Sequence, residues 1–180
     1  MIQRRPFNQL APADRGSLEA KHHFAFGEFA DPTQLGCGAL RVWNDDKIAP
    51  TSGFPPYRAT RIFQIWTMPT QCDGSTAWGS QPFPNGDRSG RPVTLASGIY
   101  RDTDAPPIRA DAHVLGAPLE SGESVDYALG NLRRGYLVPV GAVQVNATGI
   151  EARDGAAIKD AAVIKITAID DSVLVVADTP

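Results

Sequence analysis

Val163-Ile164-Lys165-Ile166-Thr167-Ala168-Ile169-Asp170-Asp171-Ser172-Val173-Leu174-Val175-Val176-Ala177 decides the fold class. Through 163–168 the residues alternate, which puts Ile164, Ile166 and Ala168 on one side of an extended chain and Lys165 and Thr167 on the other. Asp170-Asp171 supplies a turn pair, and 172–177 is a short apolar run rich in β-branched residues. Two strands joined by a tight turn follow. Upstream, short runs of the same kind recur at 93–96, 108–115, 124–128, 135–140, 142–146 and 156–158. Gly122-Glu123, Gly130-Asn131 and Asp154-Gly155 stand between them as further turn pairs. Eight short strands at this spacing predict a jelly-roll barrel, which closes its own edges, over 93–180.

The N-terminal part carries fewer strands. Positions 3–7 and 40–43 are extended, and 61–68 (Arg61-Ile62-Phe63-Gln64-Ile65-Trp66-Thr67-Met68) alternates cleanly. Positions 14–19 read as a short turn of helix. The region 70–92 is rich in Gly, Pro, Ser, Asp and Asn, and reads as a linker loop with Trp78 and Phe83 as apolar anchors. The expected organisation is therefore a unit over 1–69, a linker over 70–92 and the barrel over 93–180.

Composition narrows the function classes. The chain of 180 residues has 17 Lys+Arg against 20 Asp+Glu, a net charge of −3. It lacks the basic stripe of a nucleic-acid binder, since Arg4-Arg5 and Arg133-Arg134 are isolated doublets. No window approaches a membrane span, and Met1-Ile2-Gln3-Arg4-Arg5-Pro6 has no apolar leader core. Two cysteines, Cys37 and Cys72, are too few for a disulfide framework or a zinc site, so a reducing cytoplasmic setting is expected.

The chain carries His22-His23-Phe24-Ala25-Phe26, Asp31-Pro32, Gly38-Ala39-Leu40-Arg41-Val42-Trp43-Asn44-Asp45-Asp46 and Gly53-Phe54-Pro55-Pro56. Together these motifs resemble the pirin-like branch of the cupin superfamily. A second block runs from Thr60-Arg61-Ile62-Phe63 through Asp87-Arg88-Ser89-Gly90-Arg91 to Ala152-Arg153-Asp154-Gly155-Ala156-Ala157. The resemblance implies a bicupin with iron in the first barrel, quercetin 2,3-dioxygenase activity in some members and redox-responsive protein partners in others. It also implies that a His-x-His pair should follow Gly53-Phe54-Pro55-Pro56. Here those two positions are Tyr57 and Ala59. Tyrosine is a poor stand-in for a neutral imidazole, and alanine offers no donor atom. A later histidine and glutamate of the family site have no counterpart, because Pro56 is followed almost at once by the strand that leaves the first barrel.

The expectation is an all-β protein with a C-terminal jelly-roll barrel packed against a truncated N-terminal cupin remnant. It should hold no iron and act by binding a protein or a small molecule. An oxygenase with a rebuilt metal site is the alternative, with His22 and His23 as fallback ligands and Glu28, Asp31 or Tyr57 as weaker oxygen donors. As adjacent residues on a strand, His22 and His23 would face opposite ways. A structural role for His22, hydrogen-bonded to backbone, is the plainer reading. A metal-free site in the C-terminal barrel would draw on Arg109, His113, Tyr127 and Tyr136, with His113 and Tyr136 as a possible acid–base pair. Gly36-Cys37-Gly38 lacks a following helix and reads as a glycine turn with a buried thiol, and Arg41 should pair with Asp45, Asp46 or a backbone carbonyl. Removing part of a barrel exposes strand edges, so a homodimer burying Phe54, Phe63 or Trp66 is expected.

Overall fold

The alternation at 163–168 and the run after Asp170-Asp171 form adjacent strands of two facing sheets. A computed structural model describes residues 1–25, 27–29, 31–50, 60–70, 75, 80, 90–100, 102 and 104–180. In chain order the strands are β1 (Ile2–Arg5), β2 (Ala11–Asp14), β3 (Leu18–His22), β4 (Leu40–Ile48) and β5 (Thr60–Thr67). They continue as β6 (Val93–Ser97), β7 (His113–Leu119), β8 (Ser124–Ala128), β9 (Arg134–Pro139) and β10 (Val143–Val145). The last are β11 (Thr148–Ile150), β12 (Gly155–Ile158), β13 (Val163–Ala168) and β14 (Ser172–Thr179). A six-stranded sheet has the order β1-β12-β9-β14-β7-β6, and two four-stranded sheets have the orders β11-β10-β13-β8 and β2-β3-β4-β5.

The two faces of the six-stranded sheet do different work. Leu137, Val176 and Leu115 form one cross-strand row and point at Val125, Val143, Ile164 and Ile166 of the facing sheet, closing the jelly-roll core. The next row, Tyr136, Ala177 and Val114, points the other way and meets Phe24, Cys37, Leu40 and Trp43. Period-two alternation thus lets one sheet serve two cores. The protein is a jelly roll with the β2–β5 sheet packed on its outer face. Trp43 and Tyr136 have no exposed surface, and each such large side chain stabilises the packing by roughly 1.5–3 kcal/mol. A register shift between Leu40 and Val42 turns Leu40 and Trp43, three residues apart, toward the same core.

Some expectations need correction. Positions 14–19 are no helical turn but the link of the β2–β3 hairpin: Gly16 sits at φ 75 and its N–H donates to Asp14 Oδ1 at 2.8 Å. That left-handed conformation suits glycine and interrupts a helix. β1 adds to the edge of the C-terminal sheet through β12 instead of staying with β2–β5. β4 runs on through Asn44-Asp45-Asp46-Lys47, and an eleventh strand appears where Asn146 turns at φ 51. Gly36-Cys37-Gly38 is a docking loop. Thr179 Oγ1 donates to Cys37 O at 3.1 Å, and a Cβ on Gly38 would lie 2.1 Å from that hydroxyl oxygen. Burial pushes the Cys37 thiol up, as befits an inert side chain, and Arg41 donates to the carbonyls of Gly38 and Leu40. Among the described residues no helix is long and apolar enough to cross a membrane. Phe54, Trp78, Phe83 and Cys72 lie outside the described residues.

Candidate functional site

β4 carries the site because its two faces look in opposite directions. Trp43 and Asp45 face the jelly roll. Asn44 and Asp46 face the concave side of the β2–β5 sheet, where His22, Asn44 and Gln64 are register neighbours on three adjacent strands. They line a cleft of about 560 Å³ with Asp46, Leu18, Ala20 and Phe29. Asp14, Arg15 and Glu28, all exposed, stand at its rim.

Inside the cleft the hydrogen bonds are specific. His22 Nδ1 lies 2.7 Å from Asn44 Oδ1. A carboxamide oxygen only accepts, so Nδ1 carries the proton in this pairing. The partner of His22 is therefore a side chain, where the sequence suggested backbone. Gln64 Nε2 donates to Asp46 Oδ2. Asp46 Oδ1 is buried and has no hydrogen-bond partner among the described residues. Burial pushes the Asp46 carboxyl up, against the pull of Gln64 and His22.

His23 belongs to the other side. Its Nδ1 is 2.9 Å from the Tyr136 hydroxyl, with the rings edge to face at 5.7 Å. Burial, with Arg5, Arg153 and His22 nearby, lowers its pKa to about 3, so the imidazole is neutral. Arg5 from β1 donates to His23 O at 2.7 Å and stacks over Phe24 at 4.7 Å.

The expected fallback ligands therefore cannot meet on one ion: His22 opens to the cleft and His23 is sealed into the docking core. Iron of the non-haem type asks for two imidazoles and a carboxylate on one face. Among the described residues no group of three or more His, Cys, Asp or Glu side chains gathers to hold a metal, and the described donors do not fit iron. Tyr57 and Ala59 lie outside the described residues.

The four candidates for a site in the C-terminal barrel do not converge. His113 shares a cross-strand row with Asp178 and Gly135, the row next to that of Tyr136, Ala177 and Val114. His113 and Tyr136 therefore face opposite sides of the sheet and cannot act as a pair. His113 Nε2 lies 3.0 Å from Asp102 Oδ2. The Tyr127 hydroxyl donates to Asp178 Oδ2 at 2.6 Å, and burial with that carboxylate pushes it up. Arg133 ties Asp178 to Asp111, while Arg109 donates to the Ser75 carbonyl. Between Leu115, Tyr127, Ile166 and Val176 the barrel interior leaves a cavity of only about 10 Å³, about the space for one water. The residues missed by sequence reasoning are Asn44, Asp46 and Gln64. Alternation continued from 40–43 through 48 puts the first two on one face of a strand, and only the pairing with β3 sets them beside His22.

Residues 95–179 match the family described as the quercetinase C-terminal cupin domain. The pirin-like protein of Caulobacter vibrioides is 46% identical over 230 aligned positions, covering 99% of each chain. The chain belongs to the pirin-like family of cupins. A Pseudomonas aeruginosa relative with a provisional quercetin 2,3-dioxygenase name is 41% identical over 224 positions, covering 96% of this chain and 97% of its own. A solved Escherichia coli bacterial pirin, YhhW in complex with nickel(II), superposes with a TM-score of 0.86 at 23% identity, covering 100% of this chain and 99% of its own. That last likeness concerns the fold alone. In the first alignment, 230 positions take in a chain of 180 residues, so at least 50 are held by the Caulobacter pirin-like protein alone.

Proposed function

We propose that this pirin-like chain has lost the family iron site and acts by binding a small molecule in the concave cleft of β2–β5. The observation that carries the reading is the content of that cleft: one histidine, already paired to Asn44, beside a carboxylate and two carboxamides. Such a set hydrogen-bonds an organic ligand and leaves an oxygenase without a second imidazole. Tyr57 and Ala59 at the family's His-x-His positions point the same way. A cytoplasmic setting and a homodimer belong to the same proposal. The dimer contact is narrower than the sequence suggested, because Phe63 packs 5.8 Å from Trp43 within the docking core. Trp66, 54% exposed on β5, is the described side chain left for it, Phe54 lying outside the described residues. Sedimentation velocity should give a dimer that Trp66→Ser converts to a monomer. A monomeric wild type overturns the dimer.

The kinship with a provisionally named dioxygenase favours one second reading, an oxygenase with a rebuilt site. Iron content per chain, after anaerobic incubation with Fe(II) and removal of excess metal, separates the two. We expect a ratio near zero. A ratio near one overturns the proposed loss and brings the oxygenase forward.

A further inference from the structure

We infer that the cleft binds a small organic cation bearing a primary ammonium group, with Asp46 Oδ1 as its counter-ion; this rests on the small-molecule reading above. Asp46 is 1% exposed and lines the cleft, yet Oδ1 has no hydrogen-bond partner among the described residues. Buried polar atoms are paired in the great majority of cases, and an unpaired oxygen on a carboxylate that lines a cleft is a vacant acceptor just beneath its surface. A cation's N–H group fills it.

The surroundings select the class of cation. Gln64 already occupies Oδ2, so a planar guanidinium or amidinium, which pairs best with both oxygens of one carboxylate, finds only half its partner. An ammonium group is a point charge with rotatable donors and needs one oxygen. Asp14 and Glu28 at the rim, with Asp46 within, outweigh the single guanidinium of Arg15, so the cleft favours cations and disfavours carboxylates and phosphates. Leu18, Ala20 and Phe29 offer an apolar wall for a hydrocarbon or aromatic body.

The test is calorimetric titration of the full chain with benzylamine and with benzyl alcohol, which has the same ring and no charge. We expect benzylamine to bind one per chain, at least tenfold more tightly than the alcohol. Asp46→Asn should abolish that preference while leaving the weaker alcohol binding in place. The double change Asp14→Asn/Glu28→Gln, at exposed positions and with the asparagine oxygen still able to accept the Gly16 N–H, should weaken benzylamine a few-fold and the alcohol not at all. Equal binding of the two probes overturns the cation inference and leaves the small-molecule reading standing, as does benzylamine affinity that survives Asp46→Asn. Failure of both probes to bind overturns the inference, and an iron ratio near one overturns the reading beneath it.

Discussion

Replacing Arg153 with methionine should loosen the first sheet from the jelly roll. Asp45 lies on the docking face of β4 with its side chain fully buried, and Arg153 reaches it from the turn between β11 and β12. Arg153 Nε donates to Asp45 Oδ2 at 2.5 Å, Nη2 pairs with Oδ1, and the guanidinium lies over the Phe7 ring at 4.2 Å. Methionine keeps the apolar stem over Phe7 and removes the fork. Arg61, 3.9 Å away and half-exposed, and Lys21, the cross-strand neighbour of Asp45, are further cations nearby. Breaking a buried pair from one side costs about 3–5 kcal/mol. Arg153 is itself 17% exposed, and Arg61 can draw closer, so the lower end, about 3 kcal/mol, is expected. With a urea m-value near 2 kcal/mol/M this moves the midpoint by about 1.5 M. Urea titrations at pH 7, followed by circular dichroism and by tryptophan fluorescence (Trp43 being buried at the docked face), read it directly. Adding Asp45→Asn removes the stranded charge and should restore most of the loss. The deficit also depends on pH. Burial already pushes the Asp45 carboxyl up, and the Arg153 fork opposes it. Without the fork, the folded state holds a proton that the unfolded chain releases, so stability rises as pH falls from 8 toward 5. A midpoint shift below about 0.3 M, a double variant no better than the single, or a deficit flat in pH would refute the reasoning.

Gly155→Ala should destabilise by about 2–3 kcal/mol, measured by the same titration. A Cβ there would sit 1.9 Å from the Tyr136 hydroxyl oxygen and 2.8 Å from His23 Nδ1, in a core with no space to yield; a loss under about 0.5 kcal/mol would show that the two rings can move. Asp46→Asn should stabilise the ligand-free protein at pH 7 by about 1–2 kcal/mol, because it removes a buried charge with an unpaired oxygen. Since burial raises the Asp46 carboxyl above its ordinary 3.8, wild-type stability should rise as pH falls from neutrality toward that value. The variant should lose that part of the slope, and thermal melts between pH 5 and 8 decide.

The jelly roll was legible because period two is strong where one face is fully apolar. Ile164, Ile166 and Ala168 announce β13 without any tertiary knowledge. β4 was only half legible. Past Trp43 the chain reads Asn44-Asp45-Asp46-Lys47, a poor strand by propensity, and what holds it extended is distant in sequence: Arg153 for Asp45, and pairing to β3 and β5 on either side. β1 was legible as a strand but not as a member of the C-terminal sheet, since edge pairing leaves no mark in a four-residue sequence. The cleft stayed hidden for the same reason as β4. Asn44, Asp46 and Gln64 become a row only once the register of three strands is fixed, and polar residues in a strand look like a solvated face until then. The separation of His22 from His23 was the one part of the site that a dipeptide could give.

The two faces of the first sheet also explain how a chain can lack at least 50 positions held by a family member and keep the family architecture. Among the described residues, the β4 and β5 side chains that dock the sheet to the jelly roll, Leu40, Trp43, Asp45, Phe63 and Ile65, lie on one face or at its edge. The opposite face carries His22, Asn44, Asp46 and Gln64. Strands missing from a barrel uncover its concave interior, and the cost of that depends on what the interior holds. An apolar interior would become a large exposed patch and drive association. A polar row tolerates water or a polar ligand and leaves the docking core untouched. The apolar side chains beside Gln64 on the open face are Ile62 and Trp66, 38% and 54% exposed, and they lie on β5, which pairs among the described residues with β4 alone. Self-association is therefore expected along that edge, while the cleft itself stays available to a ligand.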